Sequence, residues 1–367
     1  MNRWHVLEKL QLVTNRLLHL QTPELEENDR CLSDETEKIG FYKRDFGMEE
    51  WDWPQGVGLF GLSKLQSLYH DNRYEAYISS WMDRQVNNGI PCRNINTTAP
   101  LLTLMDAEKN EDFCKRWMNW LLNDLPRTEE NGFQHVTTGE TKDRVRLHEN
   151  EIWVDTIFMA VLFSAKMGVK YDKADWREES LYQLLIHIKY LYDKKTNLLY
   201  HGWSFTDRDN FSEAFWCRGN SWFTVAVPEY LQLMGNYLDK GVYHYLTEAL
   251  TGQVRTLCRF QAKDGLWHTL IDDPDSYTEV SGSAAMAAGM LKAVRLGILP
   301  EEPYFSAGMK TLHAVMDNIA EDGTVLEVSA GTPIGKTKEN YKSIIKAPMA
   351  YGQALAMVLL TESLAHL

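Results

Sequence analysis

One carboxylate, Asp155, stands inside an otherwise apolar run, EIWVDTIFMAVLFSAKMG over residues 151–168, which reads as a helix buried on most sides. An unpaired charge is costly there, so the fold must pair it, hydrate it or keep it protonated. A carboxyl held in that way can donate a proton near neutral pH. Asp in the first turn of a helix also caps free N–H groups and complements the dipole, so the run alone leaves a cap and a general acid both open.

The surrounding composition narrows the chemistry. With 367 residues, 44% hydrophobic and 24% charged, the chain can bury a large core, as two domains or one large closed architecture. A formal charge of -13 argues against gripping nucleic acid or an anionic membrane through a general field, so an acidic ligand would need local recognition. The five cysteines, Cys31, Cys92, Cys114, Cys217 and Cys258, are odd in number and scattered without a CxxC pair, which fits reduced, mostly buried thiols. No HExxH or clustered Asp/His/Cys spacing implies a metal, and no cofactor is expected. The N-terminal MNRWHVLEKLQLVTNRLLHL reads as an amphipathic helix and not as a signal peptide or a membrane span, which places the protein in the cytoplasm.

Six stretches are dominated by small or apolar residues all round, beginning near Gly56, Asn96, Asp155, Gly219, Ser281 and Lys346. More polar amphipathic stretches alternate with them, beginning near Asn2, Arg73, Glu111, Lys173, Gly241 and Glu302. Successive inner stretches lie roughly 40 to 65 residues apart, the signature of a repeated helical hairpin. Small residues such as Gly56, Gly58, Gly61 and Gly282 permit close approach in a tight ring, so the expectation is an all-α protein. Its architecture would be an (α/α)6 barrel in one domain spanning residues 1–367, with short strand arms at most near residues 266–271 and 323–328. The links entering the inner helices are long and rich in Trp, Gly, His and Asp. Loops of that kind at one end of a rigid scaffold are where sites are built, and Trp faces beside Arg, Asp and His suit a carbohydrate cleft. With 12 Trp in the chain, several must simply plug the barrel mouth.

Trp153, Asp155, Phe158 and Met159 in WVDTIFMA resemble the WxDxxFM segment of the unsaturated glucuronyl and rhamnogalacturonyl hydrolases. HGW at residues 201–203 and FWCRGNSW at 215–222 are similar to the HxW and FWxRGNxW elements of glycoside hydrolase family 105, the unsaturated rhamnogalacturonyl hydrolases. WPQGVGLFGL at residues 53–62 and DDPDSYTEVSGSAAM at 272–286 sit where that family has similar text. As a joint pattern in order, the match is specific.

The resemblance implies a chemistry in which one carboxyl suffices, whereas ordinary glycosidases need two. Such enzymes hydrate the C4–C5 double bond that lyases leave in a terminal uronate. A single residue protonates C4 and then, as carboxylate, activates the water that adds at C5; the resulting hemiketal opens and expels the neighbouring sugar. Asp155 would be that acid/base. Arg218 would pair with the substrate carboxylate, or else bridge a loop acid such as Glu213. His201 would bond sugar hydroxyls or hold the water, and Trp216 and Trp222 would form a sugar platform or pack the core. Trp53, His148, Met159, Trp203 and His268 complete the candidates. Asn96, in NINTTAP, stands where related enzymes carry an Asp; its amide can bond a hydroxyl but cannot carry a proton. The expected substrate is a small unsaturated disaccharide, galacturonyl-rhamnose, turned over by a monomer or dimer without nucleic acid or membrane. The competing readings are another toroidal sugar enzyme, such as an inverting glycosidase or epimerase, and a non-catalytic helical-repeat scaffold or sugar-binding protein.

Overall fold

The computed structural model describes residues 2–21, 46–69 and 72–367; Cys31 lies outside them. Six outer helices alternate with the inner ones: α1 (Arg3–His19), α3 (Glu75–Asn88), α6 (Glu111–Asn123), α8 (Ala174–Leu191), α10 (Lys240–Phe260) and α12 (Tyr304–Asp317). Each buries one stripe. In α10 the buried residues Leu246, Ala249, Leu250, Gln253, Val254 and Leu257 recur at helical spacing. A leucine buried in this way stabilises the fold by about 1.5–3 kcal/mol.

The inner ring comprises α2 (Trp53–Tyr69), the short α4 (Ile95–Thr98) and α5 (Leu101–Leu104), α7 (Leu162–Lys170), α9 (Cys217–Met234), α11 (Val280–Arg295) and α14 (Ala350–Ser363). Each packs on the next, and α14 packs on α2, so the ring closes. Glycine permits the closest approaches. A Cβ on Gly289 of α11 would lie 2.2 Å from the Thr224 carbonyl oxygen of α9, and one on Gly61 would lie 3.2 Å from Ala354.

Two inner elements depart from the expected uninterrupted helices. Pro100 has no N–H to continue the ladder, and it separates α4 from α5. The run at 151–168 is not helical from its start. Glu151–Trp153 forms strand β3, paired antiparallel with β4 (Gly202–Ser204) in the register Ile152↔Trp203. His135 N–H donates to Glu151 O and Val154 N–H to His201 O, so the backbone of these residues is already satisfied by strand-like partners. Asp155 then sits in the turn before a π-helical turn, Ile157–Val161, that leads into α7. A further arm pairs β1 (Val136–Thr138) with β2 (Val145–Leu147). The expected arm at 266–271 contributes β5 (Trp267–His268), whose partner is β6 (Thr278–Glu279), while 323–328 gives the single bridge Ile319↔Val325.

The inner helices run parallel, because residues near their starts touch one another and residues near their ends do the same. At the C-terminal end, Glu229 of α9 bridges Lys64 of α2 at 2.7 Å and Lys292 of α11 at 2.6 Å, placing cations against helix C-termini. Burial pushes the Glu229 carboxyl up, but the two ammonium groups outweigh it and bring it to about 2. At the other end the N-termini converge, giving that mouth a positive bias suited to an anionic ligand. Among the described residues, no helix is long and apolar enough to cross a membrane.

Candidate active site

Asp155 stands at that mouth with its side chain 17% exposed. The Trp222 indole Nε1–H donates to Asp155 Oδ1 at 3.1 Å, and His201 Nε2 lies 3.3 Å from Oδ2. The β3–β4 ladder fixes this pairing. It sets the turn carrying Asp155 beside the strand that follows His201, while α9 brings Trp222 across from the next hairpin. His201 is buried; its Nδ1 meets the Tyr341 hydroxyl at 2.8 Å, and its ring lies 4.3 Å from that of Trp216. Burial pushes His201 down from the ordinary histidine range; Asp155 opposes that and Arg218 adds to it, so the balance favours the neutral ring.

An aromatic and imidazole wall continues from there. Trp153 meets His201 edge-on at 5.3 Å and stacks on His135 at 4.1 Å, with His148 4.5 Å away. Burial, then the Arg146 guanidinium, brings His148 to about 4, and burial drives His135 well below its usual value. On the opposite side, Trp53 packs on Tyr351 at 4.4 Å and edge-on against Trp222 at 6.1 Å.

Arg218 is fully buried beneath these rings, 4.7 Å from Trp216 and 4.8 Å from Tyr351. Nη1 donates to Ser281 Oγ and to both oxygens of Ser329, and Nη2 to Ala330 O and Thr332 Oγ1. Among the described residues, Nε is buried without a partner and no ion pair to Glu213 forms. The nearest balance of charge is relayed: Ser281 Oγ, which accepts from Arg218, donates to Glu279 Oε2 at 2.8 Å. Neutral oxygens and ring faces thus enclose this buried guanidinium, which costs less when its N–H groups are hydrogen-bonded.

The sequence model of Glycosyl Hydrolase Family 88 matches residues 31–367. The chain belongs to this family. Among curated relatives, the unsaturated rhamnogalacturonyl hydrolase YesR of Bacillus subtilis is 32% identical over 330 residues, covering 88% of this chain and 92% of its own. An unsaturated 3S-rhamnoglycuronyl hydrolase of Formosa agariphila is 24% identical over 76% of this chain and 77% of its own. Among solved structures, a possible member of the GH105 family from Salmonella enterica superposes with a TM-score of 0.89 at 32% identity, covering 100% of this chain and 95% of that one. The alternating inner and outer helices of this family 88 chain are thus an (α/α)6 fold, as the sequence pattern led us to expect.

The other candidate residues of the family 88 chain fall into two groups. Asp155, His201, Trp216, Trp222, Trp53 and Arg218 form one connected cluster, and His148 joins it through Trp153. Asn96 lies half-buried on α4, and Met159 is buried within the π-helical turn. The ring partners of Trp203 are Tyr190 and Phe205, and His268 Nδ1 meets Ser276 O. Those contacts tie Trp203 and His268 to the outer wall and to a loop turn, not to the Asp155 cluster. The sequence reading passed over His135, Tyr341, Tyr351, Thr332 and Glu279, although Glu279 lies within the quoted DDPDSYTEVSGSAAM. Only the three-dimensional fold brings these to the cluster around Asp155 and Arg218, Tyr351 lying 196 positions beyond Asp155 in the chain.

Proposed function

We propose that the protein hydrates the C4–C5 double bond of a terminal unsaturated uronate and so releases the neighbouring sugar. The observation that carries this reading is the half-sheltered Asp155 carboxyl, flanked by the Trp222 and His201 nitrogens at an aromatic-lined mouth. As an acid, Asp155 protonates C4, and the ring oxygen stabilises the cation that develops at C5. As a carboxylate, it takes a proton from the water that attacks C5. The hemiketal so formed opens to a keto sugar and expels the aglycone, leaving Asp155 protonated for the next turn. The Trp222 N–H holds Oδ1 through both halves, so the same carboxyl serves twice without reorienting.

The uronate carboxylate is assigned to Arg218. Thr332, half-buried, is the outer contact of its guanidinium, and a carboxylate taking that place would meet Nη2 directly. The likeness to the B. subtilis enzyme supports rhamnose as the aglycone and galacturonate as the unsaturated sugar.

The test is incubation with lyase-digested rhamnogalacturonan, following the absorbance of the conjugated alkene and the mass of the products. Loss of the alkene with free rhamnose and uptake of water is expected. Unchanged alkene absorbance, or cleavage of a saturated disaccharide instead, overturns the proposal in favour of an ordinary glycosidase.

A further inference from the structure

The short helix α13 (Lys338–Lys342) is far from the catalytic motifs in sequence, yet it delivers a buried side chain to the site. Lys338 lies 3.4 Å from Asp272, and Lys342 lies 2.6 Å from Asp273, so two ion pairs seat the helix on the loop before α11. Between them Tyr341, 1% exposed, places its hydroxyl 2.8 Å from His201 Nδ1. The same hydroxyl oxygen accepts from Gly335 N–H at 3.2 Å.

We propose that Tyr341 is a positioning residue that locks His201 as the Nε2–H tautomer, so that its donor faces Asp155 in both halves of the reaction. This deepens the reading given above and rests on it. The donor inventory carries the argument. Gly335 N–H already donates into the phenolic oxygen, which leaves the tyrosine proton to point at His201 Nδ1, and we assign Nδ1 as the lone-pair nitrogen that accepts it. A neutral imidazole whose Nδ1 accepts carries its proton on Nε2, the atom 3.3 Å from Asp155 Oδ2.

The consequence is chemical. In the opposite tautomer, Nε2 would present a lone pair to Asp155, and the protonated carboxyl would hydrogen-bond to the imidazole or pass its proton there. The proton needed at C4 would be parked on His201. In the locked tautomer, no acceptor faces that carboxyl from His201, and the proton is kept for the substrate.

The experiment uses the full chain labelled with 15N-histidine, with long-range 15N–1H correlations reporting which ring nitrogen is protonated. His201 is assigned by the signal lost in H201Q. The wild type is expected to show a protonated Nε2 and a bare Nδ1 at His201. Tyr341→Phe should mix or reverse the two and lower kcat on the unsaturated disaccharide about tenfold, with KM changed less than about twofold. An Nδ1–H tautomer in the wild type overturns the proposal without any variant, and so does a Y341F spectrum identical to the wild type's. If the wild type does not consume the alkene, the functional reading falls while the spectrum still decides the tautomer.

Discussion

The Trp222 indole donates to Asp155 Oδ1 at 3.1 Å from α9, so the carboxyl on one hairpin is held by a side chain from the next. Trp222 also touches Phe158 at 5.0 Å and Trp53 at 6.1 Å, which makes it both core filler and donor. Trp222→Phe separates the two roles, because it keeps an aromatic ring and removes the N–H. A hydrogen bond to a charged group contributes about 1.5–3 kcal/mol, so kcat should fall about 10- to 100-fold while the unfolding midpoint moves little. Alkene absorbance decay and thermal melting of the same sample check both outcomes.

Asp155→Asn keeps a carbonyl oxygen for the Trp222 N–H and removes the proton carrier. Turnover should drop by at least about 10³-fold, with binding of the unsaturated disaccharide, measured calorimetrically, changed only a few-fold. Near-normal turnover would mean that another group carries the proton.

Arg218 divides differently. Its Nη contacts to Ser281, Ser329, Ala330 and Thr332 brace the chain between α12 and α13, and its charge is the one assigned to the uronate. Lys keeps the charge but not the fork, so Arg218→Lys should both lower stability by about 3 kcal/mol and raise KM. A melting loss with unchanged KM would leave Arg218 as a brace alone.

How much of this was written in the chain depends on the kind of residue. The barrel was legible because repeated alternation between all-apolar and amphipathic helices is a property of the sequence itself, and Gly61 and Gly282 do mark close approaches. Asp155, His201, Trp216 and Trp222 were legible because each lies in a compact motif, WVDTIFMA, HGW or FWCRGNSW. The strand at Glu151–Trp153 was not, since three residues beside a long apolar run carry too little period-two pattern to outweigh it, and its partner Gly202–Ser204 lies some 50 positions on. Tyr341 was equally hidden. Nothing in the text KENYK separates it from a surface tyrosine until α13 docks on Asp272 and Asp273.

Acid should loosen the fold through its buried imidazoles. His187 is fully buried, with Nδ1 against Gln183 O at 2.6 Å, and burial brings it to about 4. Between about 4 and the ordinary value near 6.5 the unfolded chain binds a proton that the folded chain does not, so stability is complete above that window and falls as pH drops through it. His148, also near 4, adds in the same direction. Each pH step inside the window is worth about 1.4 kcal/mol, so His187→Leu should shrink the stability difference between pH 7 and pH 5 by about 2 kcal/mol. Urea denaturation at the two pH values measures it, and an undiminished difference would place the acid sensitivity elsewhere.

Ring closure itself can be tested with two glycines that differ only in surroundings. A Cβ at Gly289 would fall 2.2 Å from the Thr224 carbonyl oxygen, and the atom in the way is backbone of α9, which can yield only if two inner helices separate. At Gly241, near the start of α10, a Cβ meets nothing within 4 Å and the backbone is not left-handed. Gly289→Ala should therefore cost about 3 kcal/mol or more, and it should lower activity as well, because moving α9 moves Trp222 away from Asp155. Gly241→Ala should stabilise by about 0.5–1 kcal/mol through a less free unfolded chain, with activity unchanged. Paired denaturation curves and rates decide it. Equal stability in the two variants would show that contact between α9 and α11 does not set the ring.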